Sequence, residues 1–333
     1  MLADGWYSWA VAPDGPHPWA VFTTVLDSLP GPVSRLILGH GALRGLVLAL
    51  LSVRYESVAV IRYDPGWRSL LLARALLGRH RKLVVLQFFD HPARRTFAAL
   101  LWRELERWAL GRSLAVAQVL TAAELQVYPA RFELGPERFA LVRFAARFRG
   151  PEFPPPLPRE NGPVVAAGRA HCDWESLFAA AASRCWDLQV VCSAEDRDIV
   201  HRLNARHRAG AQISVELSHA ETHALLSHAA ISVICVSDGL LGRGHIRLAE
   251  ATDTGAAIVA SDVASLCGYV QDGVTATLVP AGDATALRAA VEALMGDPER
   301  RAAQVAGAYA AAGSWTGVDY GAALQALAAA AGP

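Results

Sequence analysis

The sequence predicts an α/β chain of two Rossmann-like domains with parallel sheets, and three observations carry that prediction. Short apolar runs alternate with helix-length periodic stretches along the chain, the pattern of βα units. Five prolines in the eight residues from Pro151 to Pro158 divide the 333 residues into two domain-sized parts. The stretch VICVSDGLLGRGHIRLAEATDTGAAIVASD, Val233 to Asp262, reads as a strand, a glycine loop, a helix and a second strand. The expected division is 1–150, a linker at 151–160, 161–315, and a last helix within 316–333.

In the first half, 6–12 reads as a strand, PDGPHP at 13–18 as a turn-rich loop, and 19–29 as a helix. Strands follow at 33–38, 57–63, 83–89 and 115–120, with helices at 42–51, 67–77 and 92–110 between them. Thr121, with Glu124 three residues on, has the pattern of a helix cap. Polar residues just after strands fall on the ligand side of a parallel sheet, which singles out Asp14, His17, His40, Asp90 and His91. An imidazole beside a carboxylate, as at Asp90-His91, can hold or accept a hydroxyl proton. The same pair also fits a capping Asp ahead of a His-Pro helix start.

In the second half, 163–167 reads as a strand closed by Gly168-Arg169, with a helix at 173–182. Strands at 188–192 and 211–217, a helix at 219–228 and a strand at 231–236 lead to the glycine loop. The helix at 245–253 is stopped by Gly255, and a strand at 256–260 follows. Alanine-rich helices at 285–295, 299–312 and 318–330 complete the chain. Gly239, Gly242 and Gly244 let a phosphate-bearing ligand come close to the backbone, and the helix N-terminus at His245 adds free N–H groups and a positive dipole end. Glu250 can accept hydrogen bonds from vicinal sugar hydroxyls, or serve only to compensate the dipole. Arg169 can present a fork of donors to a diphosphate, or lie free on the surface. His219 and His223 have helical i,i+4 spacing without a third ligand, so no metal site is expected.

Composition narrows the function. The 31 basic residues balance 31 acidic ones, so no global field recruits nucleic acid. Five cysteines without CxxC spacing indicate neither a zinc site nor a disulfide framework. The first residues include Asp4 and lack a basic start with an apolar core, so the expected location is the cytoplasm. Segment 79–112 carries eight basic residues against three acidic, with Trp102 and Trp108 interleaved. Such a segment fits peripheral contact with the inner face of a membrane, or a solvated helix whose tryptophans pack inward.

The run LAEATDTGAAIVASD, followed by GYVQDGVTATLVPAGDATALRAAVEALMGDPERR, resembles the donor-binding half of the retaining, two-Rossmann-domain (GT-B) glycosyltransferases of group 1. VVAAGRAHCDWESLFAAA is similar to the first unit of that half, and LTAAELQVYPARFELGPERFALVRFAAR to the end of the N-terminal domain. The resemblance implies two domains facing each other across a cleft, with the last helix returning to the first domain. It implies transfer of a sugar from a nucleotide-diphosphate donor, with retention, no metal and no cofactor. Donor contacts would come from Gly168, Arg169, Gly242, Arg243, Gly244, His245 and Glu250. Arg169 and His91 would be catalytic, and Asp14, His17, His40, Asp90 and His91 would lie on the acceptor side. The acceptor would be a lipid, a polysaccharide or a natural product. Two positions depart from the family: Gly242 stands where many members carry a second glutamate, and Cys172 where relatives carry a basic residue. Arg243 and Arg247 are the available substitutes for that charge. The departures also fit an inactive glycosyltransferase-like binding or scaffold protein, and the fold also serves other nucleotide-sugar enzymes such as non-hydrolysing epimerases.

Overall fold

The computed structural model describes residues 2–3, 20–21, 30–54, 58–62, 65–77, 83–90, 96–149, 156–169, 171–183, 186–239, 242–313 and 315–330. The chain forms two units, Met1–Arg143 with Tyr320–Pro333, and Phe144–Asp319.

The N-terminal unit holds strands β1 (Leu2–Ala3), β2 (Ala20–Val21), β3 (Val58–Ile61), β4 (Leu83–Leu86), β5 (Leu114–Val119) and β6 (Phe139–Leu141). They pair in parallel in the order β2-β1-β3-β4-β5-β6. β3 and β4 read VAVI and LVVL and are buried at every residue, as strands covered on both faces must be. The helices are α1 (Gly31–Gly39), α2 (Gly41–Leu51), α3 (Trp67–Leu76), α4 (Phe97–Ser113) and α5 (Ala122–Phe132).

Two expectations fail here. The strand expected at 33–38 is helix α1, whose first turn contains Pro32, where a missing N–H costs nothing. Its buried positions, Ser34 and Ile37, are three apart, a helical spacing hidden inside a short apolar run. The helix expected at 19–29 gives way at Ala20–Val21 to strand β2, and 22–29 lie outside the described residues. The strand expected at 6–12 also lies outside them, while Leu2–Ala3 is already a strand.

The apolar run from Leu36 to Val53 is mostly α1 and α2, bent by 110° about His40. No described helix is by itself long and apolar enough to cross a membrane. α2 packs directly on α3 through Gly45, where an added Cβ would lie 2.1 Å from both Gly66 O and Ser69 Oγ. The capping box at Thr121 is present. Glu124 is buried, its Oε2 accepts from the N–H of Leu120 and Thr121 at 2.8 and 3.0 Å, and its Oε1 accepts from Tyr128 OH.

Gln118 ties the edge of this sheet together from a fully buried position. Its Oε1 accepts from Gln87 N–H at 3.0 Å, and its Nε2 donates to Val142 O at 2.8 Å and Tyr320 Oη at 3.0 Å. Tyr320 comes from the last helix, so one side chain connects the strand ends to the C-terminal segment of the same unit.

The C-terminal unit holds β7 (Val164–Ala167), β8 (Leu188–Cys192), β9 (Gln212–Val215), β10 (Ile231–Ile234), β11 (Ala257–Asp262) and β12 (Thr277–Pro280). All are parallel, in the order β12-β11-β10-β7-β8-β9. The order reverses between β7 and β10, so the loops leaving those two strands part and open a crevice at their carboxyl ends. The helices are α6 (Trp174–Ala180), α7 (Arg197–His207), α8 (His219–Leu226), α9 (His245–Thr254), α10 (Ala284–Gly296) and α11 (Pro298–Ala312); the last helix, α12 (Gly317–Ala330), belongs from Tyr320 onward to the N-terminal unit. Sequence reading did not register α7, a charged helix with only Val200 and Leu203 buried, nor the short strands β6 and β12.

Substituting Gln118→Leu leaves Gln87 N–H, Val142 O and Tyr320 Oη without this partner. The expected loss is about 2–4 kcal/mol in the N-terminal unit, measured by urea unfolding followed through tryptophan fluorescence. A loss below about 0.5 kcal/mol would show that water replaces the amide freely.

Candidate functional site

The site lies where β7 and β10 part. The loop after β7 and the loop after β10 are joined by an antiparallel bridge between Cys172 and Val236. Ser237 N–H donates to His171 O, and Asp173 N–H to Cys235 O, both at 3.0 Å. Asp173 then caps α6 by accepting from Ser176 N–H. The bridge fixes the two loops that carry the predicted residues. Gly168 lets Cys172 Sγ lie close to the end of β7, since a Cβ there would be 2.1 Å from the sulfur and would turn it away. Gly244 caps α9 at φ +81°, and a Cβ there would meet Ile234 at 2.9 Å. Gly242 lies just before it, within the described part of the loop.

Arg169 is exposed at the end of β7. Its guanidinium donates to Leu217 O at 3.0 Å and stands 3.6 Å from Glu216. Arg243 folds back on its own loop, donating to Ser237 O at 3.3 Å and Oγ at 3.1 Å. His245 is buried: its Nε2 lies 2.8 Å from Ser265 O, and its ring stacks 4.0 Å from Tyr269 and 6.4 Å from Phe144. Only its place at the helix N-terminus faces the crevice chemistry; the imidazole itself is spent on packing. Burial pushes His245 down to about 4, although the Ser265 carbonyl pulls it upward.

Glu250 is the centre of the arrangement. Its carboxyl is 0% exposed; Arg247 Nη1 donates to Oε2, and His219 Nδ1 stands 2.8 Å from Oε1. Burial raises Glu250 to about 7, against the downward pull of Arg247. Arg247 is lowered by burial in turn, with Glu250 opposing and the like charge of Arg169 adding to the fall. Arg169, Arg247 and Glu250 are thus electrically coupled at the mouth of the crevice.

The histidine pair on α8 is explained by the same helix. His219 faces Glu250 and His223 interacts with Asp253, so an i,i+4 pair meets an i,i+3 acid pair across the two helices. Burial lowers both histidines, as it does any imidazole losing water. Asp253 also accepts from the backbone N–H of Phe148 at 2.7 Å and Arg149 at 3.2 Å. Among the described residues no group of three His, Cys, Asp or Glu could hold a metal ion. In the sequence His219 reads as part of a polar helix face; its place beside Glu250 depends on how α8 packs on α9, which local spacing does not encode.

In the N-terminal unit, the Asp90 side chain is 8% exposed and takes ion pairs from Arg62 at 3.1 Å and Arg131 at 2.5 Å. Arg62 also pairs with buried Glu106 at 2.8 Å, and Glu106 accepts from Trp67 Nε1 at 2.9 Å. Burial pulls Arg62 down most strongly of any single influence, yet Glu106 and Asp90 together raise it above its ordinary value. Asp90 therefore anchors the end of the β4 segment in a closed network that sequence spacing did not reveal. His40 sits at the α1–α2 corner with Nδ1 3.2 Å from Leu36 O, not after a strand as expected, because the segment before it is helical. Asp14, His17 and His91 lie outside the described residues.

Residues 173–297 match the family model described as glycosyl transferases group 1. That match lies wholly within the C-terminal unit, which is thus similar to group-1 glycosyltransferase domains. The fold is similar over 99% of both chains to HepE from Anabaena in complex with UDP-glucose, at 13% identity and a TM-score of 0.71. It is similar over 94% of this chain and 80% of the other to sucrose-phosphate synthase from Thermosynechococcus elongatus, at 16% identity and 0.65. A glycosyltransferase from Rickettsia africae matches over 91% and 82%, at 13% and 0.59. No curated protein matches the chain. These likenesses establish the GT-B fold class, two Rossmann-like units with parallel sheets, that the sequence predicts.

Because burial favours the neutral form of His245, the C-terminal unit is expected to be acid-sensitive. The folded value of His245 is depressed, so its contribution is present above the ordinary value near 6.5 and is lost as pH falls toward about 4. Between pH 7 and pH 5 that loss comes to about 2 kcal/mol. In His245→Phe, which keeps a stacked ring, urea midpoints at the two pH values should lie closer together than in the parent. Equal acid sensitivity in both proteins would remove His245 from the account.

Proposed function

We propose that the protein takes a sugar from a uridine-diphosphate sugar and passes it to an acceptor hydroxyl, with retention of configuration and without a metal ion or cofactor. The observation that carries this reading is the conjunction at the β7/β10 crevice of Arg169, Arg247, an open helix N-terminus and the desolvated Glu250. The ladder of α9 begins with Leu248 N–H to Gly244 O, so the first three N–H groups of the helix precede it. Two guanidinium groups that repel each other beside such a helix end are stabilised by a dianion placed between them. Arg247 would thus provide the charge that the family resemblance expects at Cys172.

When the bond from the anomeric carbon to the diphosphate breaks, negative charge grows on the leaving oxygen. Arg169, Arg247 and the α9 N–H groups would be donors fixed there before reaction, which is the arrangement that lowers such a barrier most. Glu250 would accept the ribose hydroxyls. His91, beside the anchored Asp90, is the acceptor-side residue in this reading. Support for the uridine nucleotide comes from the fold shared with HepE, whose structures hold UDP and UDP-glucose. Retention and metal independence follow from the group-1 resemblance, with the guanidinium groups providing the positive charge. The acceptor is a lipid, polysaccharide or natural product hydroxyl, and the setting is cytoplasmic.

A second reading, a binding protein without transfer, is favoured by Gly242 and by the ion pair that Arg247 already makes with Glu250 Oε2. Calorimetric titration with UDP and with uridine separates the readings when paired with a radiolabelled UDP-sugar transfer assay. For the transferase, UDP binds the parent, and Arg169→Ala and Arg247→Ala each weaken UDP by about 10–100-fold while leaving uridine unchanged. If Arg247 instead blocks Glu250, Arg247→Ala tightens both ligands. Absence of UDP binding at millimolar concentration sinks the donor site altogether.

The acidity of Glu250 predicts the pH dependence. A carboxyl raised to about 7 must ionise before it accepts from ribose, so UDP affinity should climb about tenfold per pH unit below 7 and level off above it. In Glu250→Gln the profile should be flat. A parent profile that is already flat from pH 5.5 to 8 (about the range around that midpoint) would place the ribose elsewhere.

A further inference from the structure

Helix α4 turns an apolar face to the solvent. Phe97, Leu101, Leu105 and Trp108 recur at helical i,i+4 and i,i+3 steps, and Leu100 borders them. Phe97 is 83% exposed, Leu100 59% and Leu101 53%, although these are the largest apolar side chains of the first helical turns. The inward face carries Glu106, Ala109, Leu110 and Ser113, with Trp102 partly buried against the core. The face does not end with the helix. Arg112 Nε donates to Ala75 O, which brings the end of α4 beside Leu76 and Leu77, themselves 76% and 50% exposed.

Basic groups border this surface on both sides. Arg103 and Arg107 follow one edge of α4. On the other edge Arg68 lies over the Trp102 ring at 4.8 Å and Arg112 over Trp108 at 5.5 Å. Of the acidic residues on α4, Glu106 is turned inward to Arg62, and Glu104 is paired with Arg107, which also reaches Glu133. On the Arg107 edge the exposed carboxylates of Glu104 and Glu133 offset the arginines, so what remains outward is an apolar centre with its cationic rim on the Arg68 and Arg112 side. In sequence, further basic residues flank the same elements: Arg94 and Arg95 before α4, and Arg79, Arg81 and Lys82 after α3.

We propose that the α4 face is a docking surface for an anionic lipid bilayer, with the leucines, Phe97 and Trp108 in the headgroup–acyl boundary and the arginines at the phosphates. Aromatic and long basic side chains suit that boundary because each has an apolar body and a polar end. A second copy of the chain fits less well. Two copies meeting by this face about a twofold axis would bring the same cationic rims toward each other, whereas a bilayer containing anionic lipid matches both the centre and the rim. The proposal does not depend on the donor-site reading.

The test is co-sedimentation of the full chain with vesicles of phosphatidylcholine alone and of phosphatidylcholine with phosphatidylglycerol, at low and physiological salt. The parent should partition at least about tenfold more strongly to the phosphatidylglycerol vesicles, and salt should weaken it. The double substitution Phe97→Ser with Leu101→Ser, both on exposed positions, should reduce partition about tenfold or more at unchanged circular dichroism. No partition at low salt overturns the proposal, and so does partition that the double variant leaves unchanged. A dimer in sedimentation velocity that the double variant dissociates, without vesicle binding, assigns the face to a second copy instead. If the double variant fails to fold, Trp108→Ser alone with Arg68→Gln alone gives the same comparison, one for the apolar centre and one for the rim.

Discussion

The desolvated carboxyl of Glu250 is the constraint around which the C-terminal unit is arranged. A lone carboxylate with no exposed surface is strongly disfavoured, so the helix carrying it must bring its own compensation or borrow it. α9 does both. Arg247, Glu250 and Asp253 follow each other at i,i+3 steps and form a polar seam along a helix that is buried from Leu248 onward. α8 answers with His219 and His223 at the matching spacing, and the backbone N–H groups of Phe148 and Arg149 satisfy Asp253. A rotation of α9 by one residue would unpair the whole seam at once. The left-handed glycines at both ends, Gly244 and Gly255, hold that rotation: a Cβ on either would collide with its surroundings at 2.9 Å.

The N-terminal unit solves a similar problem with a single hub. Arg62 leaves the end of β3 and takes up Asp90 after β4, Glu106 from α4 and the carbonyl of Phe89, with the rings of Phe88 and Phe132 against its guanidinium. Such a buried network adds little net stability compared with apolar packing, but every wrong register leaves a charge unpaired. It therefore specifies where the strand ends sit more than it strengthens them. Gln118 acts likewise on the far side of β5, where each of its polar atoms has a designated partner. Both devices set the geometry at the carboxyl ends of strands, where a parallel sheet presents its loops.

What could be read from the sequence follows from whether the information is local. α9 and its flanking strands were legible because two glycines, an apolar strand and a helical period all agree within thirty residues of chain (about the length of one βα unit). The capping box at Thr121 was legible for the same reason. The segment 33–38 was not, because six apolar-rich residues satisfy a buried strand and a helix face equally, and Pro32 decides only once the helix start is known. That one misreading carried His40 with it, since its supposed position at a strand end came from the strand. Arg62, Glu106 and His219 were invisible in a different sense. Their residue types were ordinary, and their roles arise from partners 28 to 44 residues away or on a neighbouring helix.

The same distinction bears on α4, whose sequence alone admits a solvated helix with inward tryptophans. The structure divides that reading: Trp102 packs against the core, while Trp108 is exposed. Glu106 turns inward because Arg62 and Trp67 await it, and in that rotation Phe97, Leu101, Leu105 and Trp108 face out. A chain that needed only a soluble helix could satisfy Arg62 with the same glutamate and carry polar residues at Phe97, Leu101 and Trp108 without disturbing any buried contact of this network. Their apolar character is therefore not demanded by the fold that orients them. Since solvent exposure of such a contiguous face is unfavourable and the interior does not require it, the argument for its retention has to come from what lies outside the helix.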